Sequence, residues 1–261
     1  MQKDIVRVKD GIQILFWLGF LSFFIYSFLT IMNFEDIAHP RRQESVIRIL
    51  TALSQPNFIE GETSRQVVVK MWETIQMGFL ATTISTVFAI PLTFFSARQS
   101  SFWGRGFNIL LQPILSVVRA LHPLIITMFT IVLAGIGPTA GVLALTFYST
   151  AIFIGNFSEY AQQHTSLNWP TLFRVHFPGL ALKHLPVNIL IATILGFMGG
   201  GGIGFLLIQN INLLNYRDAS VALVACIIAI GSIDLFSRAV WRNIQKNRQS
   251  LPSNIETANL H

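Results

Sequence analysis

Arg119 is the residue with the clearest chemical potential in this chain, because it is an ionisable group deep within a long apolar stretch. Charged groups at such depth usually face a water-filled cavity or a partner. Pro123 follows closely and favours a kink, because it removes an intrahelical hydrogen bond. Arg119 would then lie at a break, where its planar fork of donors suits contact with an oxyanion. The alternative is a structural arginine that snorkels or bonds carbonyl groups freed at the break.

A run of glycines is the second candidate site. Gly199 to Gly204 formally satisfies G-x-G-x-x-G, but a dinucleotide fingerprint must follow a strand and open a helix, whereas this run lies in an apolar stretch. Gly196, Gly200 and Gly204 repeat every four residues, which predicts one glycine face on a helix that another backbone approaches closely. Adjacent glycines also weaken a helix by roughly 1 kcal/mol each relative to Ala, which favours a bend or gate. The candidate pathway or gate residues are Arg119, His122, Pro123, Gly199, Gly200, Gly201, Gly202 and Gly204.

Other sequence patterns argue against catalysis and metal binding. No phosphate loop of the form G-x-x-x-x-G-K-[ST] occurs, and neither H-E-x-x-H nor G-x-S-x-G is present. His164, His176 and His184 share one segment, but their spacing matches no metal-ligand signature. We therefore predict no catalytic residue, no metal site and no cofactor bound by this chain.

Six long apolar stretches must position these residues. With 52% hydrophobic and only 11% charged residues, the chain cannot present a water-facing surface of ordinary polarity. Five of these stretches exceed the roughly 20 residues that a helix needs to cross a bilayer, and the fourth has 17. The predicted spans are 12–33, 74–97, 107–135, 139–155, 185–208 and 219–241. We predict an all-α, polytopic integral membrane protein with one domain over 1–261, in which Glu73 and Gln76 lie at the outer mouth of the second span.

The distribution of Lys and Arg predicts the orientation. With the N-terminus inside, the cytoplasmic side receives Lys3, Arg7, Lys9, Arg98, Arg105, Arg174, Lys183, Arg238, Arg242, Lys246 and Arg248. The other side receives Arg41, Arg42, Arg48, Arg65, Lys70 and Arg217. The positive-inside rule therefore predicts that both termini, including the tail 242–261, are cytoplasmic. This bias accounts for much of the net charge of +6, so nucleic acid is not a predicted partner.

The polar segment 156–184 is long, cytoplasmic in this topology, and able to hold a docking element. Its spacing resembles the "EAA" motif of binding-protein-dependent ABC importer permeases, with literal matches at Glu159, Ala161 and Pro178. The positions that correspond to the motif are Glu159, Tyr160, Ala161, Thr165, Val175, Phe177 and Pro178. Four further segments occur in that family's order: Trp72 to Arg98, Arg119 to Ile125, Gly135 to Leu145 and Thr193 to Gly204. The chain is most similar to permeases of phosphonate and phosphite importers, and permeases for methionine and glycine betaine share several features.

This resemblance implies a type I ABC importer permease-like fold in the cell inner membrane. It also implies two separate ATP-binding subunits that bind ATP and Mg²⁺, an external substrate-binding protein, and a second copy of the permease within the lipid bilayer. Glu159 would anchor the contact with the ATPase. Three alternatives remain open: a solvated loop in place of the coupling segment, a permease for another small solute, and a non-transport membrane scaffold.

Overall fold

The structure is a computed structural model that describes residues 2–32, 40–56, 61–97, 102–163 and 177–249. Within these ranges the chain forms nine α-helices and no β-strand, which agrees with the all-helical prediction. The helices are α1 (Gln2–Ile31), α2 (Pro40–Leu53), α3 (Gly61–Ala97), α4 (Phe102–Ala120), α5 (Pro123–Ala134), α6 (Pro138–Gln163), α7 (Phe177–Gly196), α8 (Gly202–Asn212) and α9 (Tyr216–Gln249).

Five of the described helices contain segments long and apolar enough to cross a membrane. These segments are Gln13–Ile31, Thr63–Thr93, Pro138–Ser158, Phe177–Gly196 and Tyr216–Asn243. Two further apolar helix segments, Ile109–Ala120 and Pro123–Ala134, are separated by a short break with a bend of 100°. They give a sixth membrane span if the pair is counted as one. The prediction of about six membrane helices is therefore confirmed.

The chain divides into two compact units, Met1–Ala52 and Leu53–His261. In the first unit, the apolar segment of α1 is exposed along its whole length, as a helix surrounded by hydrocarbon would be. In the second unit, α3 is the central helix and packs against α4, α6, α7, α8 and α9. Its 37 residues correspond to about 55 Å of helix, so α3 is longer than the roughly 30 Å hydrocarbon core.

Two helix boundaries differ from the prediction. The predicted span 185–208 is not one helix, because α7 ends at Gly196 and α8 begins at Gly202. The helix α3 begins at Gly61, so Glu73 lies 12 residues inside it, about 18 Å along its axis. That Glu73 and Gln76 lie at the outer mouth of the second span stays a prediction, because the helix extends beyond the apolar stretch at its N-terminal end.

Candidate functional site

The glycine run forms a turn between α7 and α8. Gly201 and Gly202 have φ values of +81° and +72°, which residues with a Cβ rarely adopt. These values are not helical, so the helix cannot continue through the two glycines. The predicted glycine face on a single helix was therefore wrong. Gly196 and Gly204 nevertheless lie against each other, because a Cβ at Gly196 would come within 2.8 Å of the Gly204 Cα. The close approach thus joins two helices of a hairpin.

Two side chains from the middle of α3 cap the first amides of α8. The amide of Gly202 donates to Glu73 Oε1 at 2.9 Å, and the amide of Ile203 donates to Thr74 Oγ1 at 2.8 Å. The second carboxylate oxygen of Glu73 accepts from Lys70 Nζ at 2.7 Å. Because the first amides of a helix have no partner within it and carry partial positive charge, a carboxylate at this end is stabilising.

The glycine turn also contacts the turn between α5 and α6. The amide of Gly137 donates to the carbonyl of Gly199 at 2.9 Å. A Cβ at Gly141 would lie 2.5 Å from the Gly200 carbonyl oxygen, and one at Gly201 would lie 2.7 Å from the Pro138 nitrogen. Non-helical backbone at membrane depth requires cover by protein or water. Here α3 and the α5–α6 turn provide that cover.

Arg119 and Pro123 lie on either side of the break between α4 and α5, as their sequence predicts. His122 has an extended backbone (ψ 141°), and its Nδ1 accepts from the Leu124 amide at 3.3 Å, so it caps α5 while Pro123 occupies the first turn. Arg119 is half-buried, and its Nε donates to the Leu115 carbonyl at 3.2 Å. A Cβ at Gly155 would lie 2.5 Å from Arg119 Nη1, so the guanidinium packs on the α6 backbone. These contacts suit a structural role, and contact with a substrate stays a prediction.

A buried polar network joins the three central helices of the second unit. Asn188 on α7 donates to Thr82 Oγ1 on α3 at 2.8 Å, and its side-chain oxygen accepts from Ser149 Oγ on α6 at 2.9 Å. All three side chains are at most 4% exposed. Sequence reasoning missed this network, although an asparagine within an apolar stretch is a signal that a polar partner lies nearby.

The coupling motif lies largely outside the described residues. The backbone of Glu159, Tyr160 and Ala161 belongs to the last turns of α6, but their side chains, and the whole of Thr165 and Val175, lie outside the described part. Phe177 begins α7 and is 2% exposed, with its ring centroid 3.8 Å from that of Phe157. Pro178 is exposed. Phe177 is therefore a core residue, which its place in the motif did not predict.

No metal centre was found in the described part of the chain, where no group of three or more His, Cys, Asp or Glu side chains lies close enough to hold an ion.

Comparison with known proteins identifies relatives of modest identity. No family model matches the chain. It is 27% identical to the phosphate-import permease protein PhnE of Mycolicibacterium smegmatis over 73% of this chain, and 24% identical to the phosphite transport system permease protein PtxC of Stutzerimonas stutzeri over 66%. The chain spans 39% of the length of PhnE and 69% of the length of PtxC.

A solved structure gives the fold. A chain from inward-facing MetNI methionine ABC transporter matches with a TM-score of 0.54 and 19% identity, over 71% of this chain and 99% of that chain. At this identity the likeness concerns the fold alone. The present chain is therefore an integral membrane protein with the fold of an ABC importer permease, and in sequence it resembles the permease proteins of phosphate and phosphite transport systems.

Proposed function

We propose that this chain is the permease subunit of an ABC importer that moves a small oxyanion, such as phosphonate or phosphite, across the inner membrane. The observation that carries the proposal is the coincidence of an ABC permease fold with sequence similarity to permease proteins of phosphate and phosphite import. The transport subunit itself performs no catalysis. ATP and Mg²⁺ are bound by a separate ATPase.

The complex contains two copies of this chain, two ATP-binding subunits and an external substrate-binding protein. Both termini are cytoplasmic, so the 156–184 segment lies on the same side as the ATPases. Glu159, at the end of α6, anchors the contact. Because α6 runs from this segment to the turn at Pro138, a displacement of its cytoplasmic end is transmitted as a rigid-body movement to the two packed turns.

The glycine turn is the part of the pathway best suited to act as a gate. It contains glycines with positive φ values, and hydrogen bonds from two other parts of the fold hold it: the α5–α6 turn, and Glu73 and Thr74 of α3. A movement of α3 relative to α6 must break or reform these bonds. In this proposal the turn changes between a closed arrangement, which the cap on α8 stabilises, and an open one that lets the substrate pass.

The test is recovery of the partner. The tagged full-length chain is purified from its native membranes in mild detergent, and co-purifying proteins are identified by mass spectrometry. We expect an ATPase with a phosphate loop in the wild type and its loss with Glu159→Lys. The matched control is Glu44→Lys, the same charge reversal in α2, which should retain the ATPase. A correctly assembled permease that recovers no ATPase would refute the proposal.

A further inference from the structure

A cleft of about 400 Å³ opens between α3 and α8, beside the cap of the glycine turn. Its lining residues are Arg65, Gln66, Val69, Lys70, Phe205, Leu206 and Gln209. Each of the candidate pathway residues lies outside this lining. The cleft is therefore distinct from the candidate pathway residues, and it belongs entirely to the second unit.

The lining combines donors with an apolar wall. Arg65 offers a planar guanidinium and Lys70 a compact ammonium, and the carboxamide of Gln209 adds a further donor. Phosphate-type groups are recognised by such sets of charge-assisted donors. Arg65 and Gln209 are exposed and the Lys70 side chain is 37% exposed, so a ligand can reach these donors from solvent.

We propose that this cleft binds a tetrahedral phosphorus oxyanion of the phosphate, phosphite or phosphonate class. That the cleft prefers an anion is inferred from Arg65 and Lys70. That the anion is a phosphorus oxyanion rests on the proposed function. The same chemistry is offered by a free oxyanion and by the phosphate of a lipid headgroup. Both ligands would contact the same two cations. The experiment therefore tests a free oxyanion and a lipid headgroup separately.

Occupancy of the cleft is linked to the glycine turn through two contacts. Lys70 Nζ lies 2.7 Å from Glu73 Oε2, and Glu73 Oε1 lies 2.9 Å from the Gly202 nitrogen. An oxyanion beside Lys70 competes with Glu73 for the ammonium group. Glu73 then loses the ion pair that restrains its side chain, so its hydrogen bond to the Gly202 amide breaks more readily and the cap that holds the turn weakens.

Binding is measured on the full-length chain in lipid nanodiscs, without ATPase or transport. Phosphite is titrated by ligand-observed ³¹P NMR in discs of phosphatidylcholine alone, and native mass spectrometry detects phosphatidylglycerol retained from mixed discs. We expect the double substitution Arg65→Gln with Lys70→Gln to weaken binding by roughly tenfold or more. The matched control is Arg217→Gln, which removes an exposed guanidinium bonded to Gln55 outside the cleft and should change the Kd by less than about twofold.

Phosphite binding that is lost in the double variant identifies a free oxyanion as the ligand. Retention of phosphatidylglycerol that is lost in the double variant, without phosphite binding, identifies the headgroup. Failure to bind either ligand, or equal binding by the double variant and the Arg217→Gln control, would overturn the proposal. Since no ATPase is present, this failure is distinct from failure to recover the ATPase, which concerns the importer itself.

The link to the turn has its own readout. Hydrogen exchange at the peptide that contains Gly202 and Ile203 should accelerate when phosphite binds to the wild type, and Lys70→Gln should abolish this response. Unchanged exchange in the wild type at saturating phosphite would refute competition for Lys70.

Discussion

The substitution Thr74→Val tests whether α3 caps α8. The side chain of Thr74 is fully buried, its hydroxyl accepts from the Ile203 amide at 2.8 Å, and it donates to the Lys70 carbonyl at 2.9 Å. Valine preserves the volume of the side chain and the β-branched shape but removes the acceptor. The Ile203 amide is then left without a partner in a place that water does not reach.

A buried donor left unsatisfied costs about 1–3 kcal/mol, and side-chain hydrogen bonds between membrane helices average about 0.6 and reach about 1.7 kcal/mol. We therefore expect Thr74→Val to destabilise the start of α8 by about 1–2 kcal/mol. This corresponds to an increase of roughly 5–30-fold in the population of the opened state. Hydrogen exchange at the Ile203 amide should accelerate by the same factor in detergent or nanodiscs.

Thr83→Val provides the matched control. Thr83 lies on the same helix, is exposed, and donates only to the Phe79 carbonyl one turn earlier at 2.9 Å in the described structure. Removing the Thr83 hydroxyl should change the free energy of unfolding by less than about 0.5 kcal/mol. Thr74→Ser, which keeps the hydroxyl, should remain near the wild type in exchange at Ile203. If Thr74→Val accelerates exchange at Ile203 no more than Thr83→Val does, the cap does not stabilise α8 and the reasoning fails.

Three further predictions concern the break and the core. Gly155→Val should expel the Arg119 guanidinium and lower the free energy of unfolding by about 1–3 kcal/mol, because the site becomes overpacked. In unfolding measurements in detergent, adding Arg119→Ala should recover part of this loss. If the effects of the two substitutions are strictly additive, the two residues are not in contact. Asn188→Ala and Ser149→Ala should show a coupling energy of about 0.6–1.7 kcal/mol in a double-mutant cycle, with zero as the contrary result. Gly202→Ala should lower stability by about 1–2 kcal/mol or more, measured by the same unfolding assay, because its backbone has φ +72°; an unchanged midpoint would show that the turn accommodates a side chain.

The sequence was sufficient to predict the membrane helices and the class of fold. Long apolar stretches report directly on the lipid environment, because each must satisfy its own backbone hydrogen bonds as a helix. Several segments, such as Trp72 to Arg98, resemble a permease family and occur in that family's order. This resemblance predicted the fold that the structural comparison confirms. The break at Pro123 was also expected, because proline restricts both its own backbone and that of the preceding residue.

The contacts within the candidate site could not be predicted. Average hydropathy is insensitive to backbone breaks in an apolar run, so it predicted one span over 185–208, and only the adjacent glycines indicated a bend. The cap joins Glu73 to Gly202 across 129 residues, and no local pattern encodes such a pair. Glycine spacing did indicate a close approach of backbones. It could not indicate whether the two glycines shared one helix or lay on two helices of a hairpin.

The most direct test of the importer proposal is uptake by proteoliposomes that contain the permease and its ATPase, supplied with the external binding protein. We predict that ³²P-labelled phosphite accumulates when ATP is enclosed but not when a non-hydrolysable analogue replaces it. Excess unlabelled phosphonate should compete, whereas excess methionine should not. Uptake that is independent of ATP hydrolysis, or competition by methionine instead of phosphonate, would contradict the proposal that this chain forms the path of an ATP-driven oxyanion importer.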